Sequence, residues 1–303
     1  MNTVTVTLGS IIDRVLFDMQ DPASAPLLSS LYAAITDEDT TLSLADASAV
    51  NISDILEIGS ELLLVTGKTE DAVPVLTVSR GYYSSTAVAH DAGTPVAVNP
   101  LHARVRIAEA IKRSLSRLEA LGLPLISTDT YQREVGLRFI ELPEETRDVL
   151  RVGYLSTEGR WFDLSGWTFV DTVPTSVATT GKMLRLSRLI SDDDELHVTI
   201  RTPYRWSTFP DTPDESATIT MLEGTEDLPA VYAMAWLMSR RELARIDVQR
   251  AQEWNAAEPT RSGVSTAVVR LQWQEFYRAL DEAKRLAVTL PVHRPYVPMP
   301  RLY

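Results

Sequence analysis

The chain has 303 residues and a formal net charge of −12, with 45% hydrophobic and 23% charged residues, a composition typical of a globular protein of one or two domains. It contains no cysteine, which excludes disulfides, thiolate metal sites and a cysteine nucleophile, and no apolar run is as long as a membrane-spanning helix. Residues 1–100 hold 13 acidic but only 3 basic residues. This imbalance disfavours nucleic-acid binding by the first third, because phosphate contacts depend on Lys and Arg.

Residues 1–100 are predicted to form a small β-rich domain, either a barrel or a sandwich. Thr and Val alternate over Thr3–Leu8, which is the period of a strand. Ser10–Met19 is predicted to be a short helix that Ser10 caps. The remaining strand-like segments are separated by glycines and cover Thr40–Leu44, Leu62–Thr66, Val75–Ser79 and Thr94–Val98.

Residues 101–290 are predicted to form a helical bundle into which a β region is inserted at about residues 135–222. The first helix should follow Asn99-Pro100, with the proline in its first turn, and its apolar stripe is Ala108, Ile111, Leu115 and Leu118. The remaining faces of this helix are basic and carry Arg104, Arg106, Lys112, Arg113 and Arg117. These five residues are either solvated surface charge or a face that lines a DNA channel or meets an acidic neighbour.

The inserted region has six strand-like segments: Gly136–Leu142, Val149–Tyr154, Trp161–Leu164, Thr168–Val170, Met183–Leu186 and Glu195–Arg201. The acidic run Asp192–Glu195 lacks the spaced ligands and the central glycine of a calcium loop. It is therefore interpreted as a solvated turn rather than a cation site.

Two long helices close the predicted bundle. Asp227 is placed as the N-cap of a helix that runs to about Glu253. The last helix follows Gly263, and its apolar seam consists of Val269, Trp273, Phe276, Leu280, Ala283 and Ala287.

Residues 291–303 (PVHRPYVPMPRLY) are predicted to form an extended C-terminal arm. Four prolines exclude a helix or a central strand, and a stiff apolar segment loses little entropy when it docks. The arm either packs on its own domain or grips a neighbouring subunit or partner. The predicted interface residues are Val292, Tyr296, Val297, Met299, Arg301, Leu302 and Tyr303.

No catalytic, cofactor or metal site is predicted from motifs. The four histidines have no zinc-ligand spacing, and the chain has no GxGxxG, GxxxxGK[ST] or GxSxG sequence. The carboxylates Glu144-Glu145 and Asp211…Asp214-Glu215 leave a glycosidase open, because that chemistry needs two positioned acids. The chain is predicted not to be an enzyme.

The segment Glu57–Val98 resembles a signature of structural proteins in tailed bacteriophages. The pattern is LTV-RG-x-GT-A-x-H-x-x-G-x-x-V, and the chain departs from it at Ser85, where glycine is usual. The residues that match are Leu76, Val78, Arg80, Gly81, Thr86, Ala87, His90 and Gly93. Arg80 and His90 are expected to act as local hydrogen-bonding supports.

The order of elements over residues 101–303 is similar to that of phage head–tail connector (adaptor) proteins. The resemblance rests on a basic helix, the Glu141-Leu142-Pro143 strand start, a β region with Trp161 and Trp167, and two helices with a tail. It implies a virion structural protein made in the bacterial cytoplasm and located at the head–tail junction. Twelve copies would form a ring between the portal protein and a tail or stopper protein, contacting double-stranded DNA transiently as it passes, with no cofactor and no membrane.

One alternative from a different class is a tail-tip or fibre-associated module that binds carbohydrate on the host surface. Its binding site would use exposed aromatic residues, for which the candidates are Trp161, Trp167, Trp206 and Phe209.

Overall fold

The computed structural model describes residues 3–19, 27–71, 73–131, 138–155, 159–187, 195–207, 215–253 and 263–288, without the side chains of 241–253 and 263–266. In chain order, the elements of these residues are β1 (Thr3–Thr7), α1 (Leu8–Met19), β2 (Leu27–Ser30), β3 (Thr41–Ser43), β4 (Ile55–Ile58), β5 (Glu61–Lys68), β6 (Val75–Ser79), β7 (Pro95–Val98), α2 (Arg104–Ala120), β8 (Leu125–Tyr131), β9 (Phe139–Glu141), β10 (Asp148–Leu155), β11 (Trp161–Asp163), β12 (Trp167–Val170), β13 (Met183–Leu186), β14 (Glu195–Thr202), β15 (Thr218–Leu222), α3 (Leu228–Glu253) and α4 (Gly263–Val288).

The predicted fold class, a helical bundle with an inserted β region after a small β domain, is wrong. The described residues form four helices and 15 strands in four antiparallel sheets, so the molecule is mostly β. The sequence prediction missed β2, β4, β8 and β15. Of these, β2 and β8 are edge strands and β4 lies inside the six-stranded sheet. The strand β15 pairs with the very start of the chain, which the bundle prediction had assigned to a separate domain.

The first large sheet is a half-barrel of six strands in the order β2-β7-β4-β5-β6-β3. Just beyond its two edge strands, Leu31 bridges Leu44, and the Tyr32 N–H donates to the Ser43 carbonyl at 2.9 Å. The strands place alternate residues inside: in β6, Leu76 and Val78 are buried and Thr77 is exposed. This alternation gives the half-barrel its own apolar core.

A second core lies between the helices and the β1–β15 ribbon. β1 pairs antiparallel with β15, so that Thr3 lies opposite Leu222, and α3 contacts α1, α2 and α4. Residues 3–19 thus contribute Leu8 and Ile12 to the core that also contains Ile111 and Phe276.

The helix α2 begins later than predicted. Its N-cap is Ala103, so the placement of Pro100 in the first turn is wrong. Asn99 has a positive φ of 51°, and its side chain accepts from the Ile55 N–H at 2.9 Å and donates to Asp54 at 2.8 Å. These bonds turn the chain away from β7 before the helix can start.

The region between α2 and α3 contains two sheets around a third apolar core. Their strand orders are β11-β10-β14-β8 and β12-β13-β9. The predicted strand Met183–Leu186 is confirmed, as are the α3 bounds Leu228–Glu253. Asp192–Asp194 lie outside the described residues.

Candidate functional site

A groove between α2, α3 and α4 is the main candidate site, and it contains three of the five predicted basic residues. Its volume is about 640 Å³, which lies in the size range of pockets that hold a ligand or several side chains. The residues that line it are Glu109, Lys112, Arg113, Ser116 and Arg117 from α2, Tyr232 and Trp236 from α3, and Trp273 from α4.

The floor of this groove is aromatic. The Trp273 indole N–H donates to Ser239 Oγ at 2.8 Å, which fixes the ring, and Trp273 meets Tyr232 edge-on at 5.4 Å between centroids. The guanidinium groups of Arg113 and Arg240 lie over the Trp236 ring at 5.2 and 5.0 Å. This cation–π stacking holds positive charge against an apolar floor.

The charges of the groove are only partly balanced. Arg113 bonds to Glu109 at 2.7 Å, and both side chains are 49% exposed. Lys112 lies over the Trp206 ring at 5.3 Å. Arg117 is exposed and pairs with no acidic side chain among the described residues. The groove therefore presents a net positive surface that an anionic group can reach.

The other two predicted basic residues, Arg104 and Arg106, are not part of this groove. Arg104 pairs with Glu215 at 2.5 Å and with Asp13 at 2.8 Å. Arg106 stacks over the Tyr83 ring at 4.7 Å. The structure therefore divides the five residues into a pair near the half-barrel and a trio in the groove.

A cavity of about 380 Å³ lies beside Arg104, where the half-barrel meets α1. Its wall includes Leu16, Leu28 and the carboxyl group of Glu57, which is 7% exposed. Burial raises the pKa of Glu57 from an ordinary 4.5 to about 7, against the opposing effect of a 2.5 Å hydrogen bond from the Arg104 backbone N–H. A pKa of this size predicts that the junction is sensitive to pH near neutrality.

Two of the signature residues, Arg80 and His90, meet at a buried carboxylate, Glu61, which the sequence prediction did not single out. Arg80 binds Glu61 with two parallel hydrogen bonds of 2.6 and 2.7 Å, and His90 Nε2 lies 2.9 Å from the same carboxylate. Glu61 is 0% exposed. Burial alone would raise the pKa of Glu61, but the bonds from Arg80, His90 and the Val88 N–H outweigh burial and lower it.

The remaining donors of Arg80 brace the neighbouring loops. Arg80 Nη1 donates to the carbonyls of Thr36 and Asp39 at 2.5 and 3.1 Å, and Nη2 donates to the Val88 carbonyl at 2.6 Å. All five N–H bonds of the guanidinium thus find acceptors. The expectation that Arg80 and His90 act as hydrogen-bonding supports is confirmed, with Glu61 as their shared acceptor.

Gly81 and Ser85 explain how the chain follows and departs from the signature. Gly81 has a φ of +63°, and a Cβ there would come within 3.0 Å of the Ser85 carbonyl, so glycine is required. Ser85 has an ordinary extended φ of −71°. Its hydroxyl accepts from the Leu62 N–H at 2.9 Å, so serine fits without strain at the position where the pattern has glycine.

Of the aromatic residues considered for carbohydrate binding, Trp161 is exposed and Trp206 is buried. Trp161 is 42% exposed and its edge-strand neighbour Phe162 is 43% exposed. Trp206 is 3% exposed, Trp167 packs against the third core, and Phe209 lies outside the described residues. The structure therefore does not bring the four together as one platform.

The carboxylates considered for catalysis have different environments. Glu144 and Glu145 are exposed, whereas Glu215 is engaged by Arg104. Asp211 and Asp214 lie outside the described residues. Within the described part of the chain, no group of three or more His, Asp or Glu side chains is arranged to hold a metal ion.

The predicted arm, residues 291–303, lies outside the described residues. Its interface role therefore stays a prediction from sequence. Among the helices that are described, none is both long and apolar enough to cross a membrane.

Comparison with known proteins adds no identification. No protein-family model matches the chain, and no curated protein or solved structure is significantly similar to it.

Proposed function

We propose that this chain is a virion structural protein, a head–tail adaptor that assembles as a ring and acts without catalysis. In this proposal the ring stands between a portal protein and a tail or stopper protein and lets double-stranded DNA pass. The sequence resemblance supplies the class of protein, and the structure supplies the physical role of the residues that carry that resemblance.

The observation that carries the proposal is that five of the eight signature residues pack, turn the chain or hydrogen-bond within the half-barrel. Leu76 and Val78 fill the half-barrel core, Gly81 forms the turn that requires a positive φ, and Arg80 and His90 bind Glu61. If the shared motif served catalysis, its reactive side chains would be expected at a surface or in a cleft. Here the shared residues specify a rigid module instead, which suits a subunit of an assembly.

The groove and the arm supply a second line of support. A subunit of a ring needs complementary surfaces on opposite sides, and this chain combines an acidic first third with a basic aromatic groove. The arm adds apolar and aromatic anchors of the type that dominates interface energies.

Electron microscopy of the purified full-length protein, combined with native mass spectrometry, tests the proposal. We expect closed rings of uniform size, with twelve copies as the count that the resemblance implies. A protein that stays monomeric at every accessible concentration would exclude ring assembly and remove the adaptor proposal.

A carbohydrate-binding module is the second candidate, because the Trp161 ring is exposed on an edge strand. Trp161 Nε1 donates to Asp163 at 3.1 Å and Arg151 lies over the ring at 5.2 Å, so the ring is held in place. Binding to a glycan panel that Trp161→Ala abolishes would favour this candidate over the adaptor.

A further inference from the structure

We infer that the basic aromatic groove receives the acidic loop of a second copy of this chain, residues Thr36–Thr40, in a head-to-tail contact. The groove is the one lined by Lys112, Arg113, Arg117 and Trp236. The inference deepens the proposed ring and rests on it. It assigns the two surfaces that would join neighbouring subunits.

The loop carries the densest exposed negative charge in the described residues of the half-barrel. Asp37, Glu38 and Asp39 are consecutive and exposed. Asp39 is used locally, since its carboxylate accepts from the Thr36 N–H at 2.7 Å and from the Thr36 hydroxyl at 2.8 Å. Asp37 and Glu38 make no hydrogen bond or ion pair with a described residue, so their carboxylates are available to a partner.

The loop is rigid because the buried network holds it from below. Arg80 donates to the carbonyls of Thr36 and Asp39, which flank the two available acids. A preorganised loop loses little conformational entropy when it binds. The exposed ring of Tyr32, which is 64% accessible, lies only a few residues before the loop and adds an aromatic group.

The groove matches this loop in charge and in its aromatic side chains. For the two carboxylates it offers Arg117, which pairs with no acidic side chain among the described residues, and Arg113, whose ion pair with Glu109 is half exposed. For an aromatic side chain it offers the ring of Trp273. Each subunit carries one loop and one groove at different places, so the pairing can run head to tail from subunit to subunit, which is the heterologous arrangement that we assign. A heterologous contact produces a closed ring when its rotation closes, which is the assembly that the proposed function requires.

A charge swap tests the pairing. The loop variant is Asp37→Lys/Glu38→Lys, and the groove variant is Arg113→Glu/Arg117→Glu. We expect each to weaken self-association at least tenfold, as measured by sedimentation velocity, because like charges then face each other across the contact. Combining all four substitutions in one chain restores opposite charges and should restore the ring.

Mixing the two double variants gives a sharper readout. The intact loop of the groove variant can enter the intact groove of the loop variant, and the lysines of the altered loop face the glutamates of the altered groove. Both mixed contacts are therefore complementary, whereas neither variant is complementary to itself. The mixture should therefore form rings in which the two variants alternate in equal numbers, whereas neither variant assembles alone, and a mixture that stays unassembled would count against the loop–groove contact. Native mass spectrometry distinguishes these species by mass.

Control variants separate this contact from a general charge effect. Glu144→Lys/Glu145→Lys makes the same charge change at two consecutive exposed acids elsewhere, and it should assemble like the wild type. Arg113→Gln/Arg117→Gln removes two positive charges from the groove without reversing them, and it should give an intermediate loss of self-association. Circular dichroism and thermal melts verify that each variant is folded.

The outcomes distinguish the inference from the proposed function. Rings that form equally well in both double variants would overturn the loop–groove contact and leave the ring proposal intact. A wild-type protein without self-association would overturn both. If the groove variant loses retention on double-stranded DNA at low salt while its rings are unchanged, the groove serves DNA and the inference is wrong.

Discussion

Replacing Arg80 with leucine should be among the most destabilising single changes in the half-barrel. The substitution leaves the Glu61 carboxylate, which is 0% exposed, without its bidentate partner. It also removes the donors that reach the carbonyls of Thr36, Asp39 and Val88. Breaking a buried ion pair from one side costs about 3–5 kcal/mol, because a charge is left unpaired in a low-dielectric environment.

The double variant Glu61→Leu/Arg80→Leu supplies the internal comparison. It removes the unpaired charge along with its partner, so we expect it to be more stable than Arg80→Leu by at least about 1 kcal/mol. Arg113→Leu is the matched surface control. Its pair with Glu109 is half exposed on both sides, and loss of such a pair changes stability by about 0–1 kcal/mol.

Denaturant titration followed by fluorescence and circular dichroism measures these differences. The cost of Arg80→Leu should also shrink as the pH falls. Without Arg80, burial raises the pKa of Glu61, so the variant gains stability on protonation, whereas the lowered pKa in the wild type makes that protein lose stability under acid. A cost below about 1 kcal/mol at neutral pH, or one that does not change with pH, would show that the network does not support the fold as argued.

Four further predictions concern other parts of the molecule. Because the pKa of Glu57 rises from 4.5 to about 7 on folding, the folded state binds the extra proton, and stability should fall by about 3 kcal/mol between pH 4.5 and 8; in Glu57→Gln, thermal melts across this range should lack that component, and an unchanged pH dependence would contradict the assignment. Phe276→Ala should cost about 3–5 kcal/mol because Phe276 is fully buried, and Trp273→Ala should cost less because Trp273 is only partly buried; equal melting temperatures for the two variants would contradict this order. Gel-shift assays at physiological salt should show no tight binding of double-stranded DNA, and a sequence-specific complex of sub-micromolar affinity would oppose a channel role. Deletion of residues 291–303 should leave the melting temperature nearly unchanged and abolish assembly, and a truncated protein that still forms normal rings would exclude a docking arm.

Local patterns in the sequence predicted some of the elements, because hydrophobic period and helix capping are short-range signals. The α3 helix runs from Leu228 to Glu253 as Asp227 and the apolar spacing indicate, and β13 has the predicted bounds. The strand β4 was missed because the acid Glu57 interrupts its apolar pattern, although the structure buries that side chain.

The wrong fold class and the failure to predict the hydrogen-bond network around Glu61 have a common physical cause. β1 finds its partner more than 200 residues later, and Glu61 meets Arg80 and His90 across 19 and 29 positions. Pairing over such distances is decided by packing and hydrogen bonding in three dimensions. The sequence did contain one signal, the acid Glu61 at the start of the apolar run Glu61–Val65. If that strand is buried, its acid needs a cationic partner.

The pairing of β1 with β15 has a consequence for biosynthesis. Ribosomes add on the order of 5–20 residues per second, so the first strand leaves the ribosome many seconds before Leu222, which pairs with Thr3, is synthesised. The half-barrel can pair all its strands from residues 27–98 during that interval, while Thr3–Thr7 has to wait. Its alternating threonines keep one face polar in the meantime, which reduces the risk that a waiting strand joins the wrong edge. The nascent chain can therefore complete the half-barrel first, while its first five-residue strand is paired only when β15 has been synthesised.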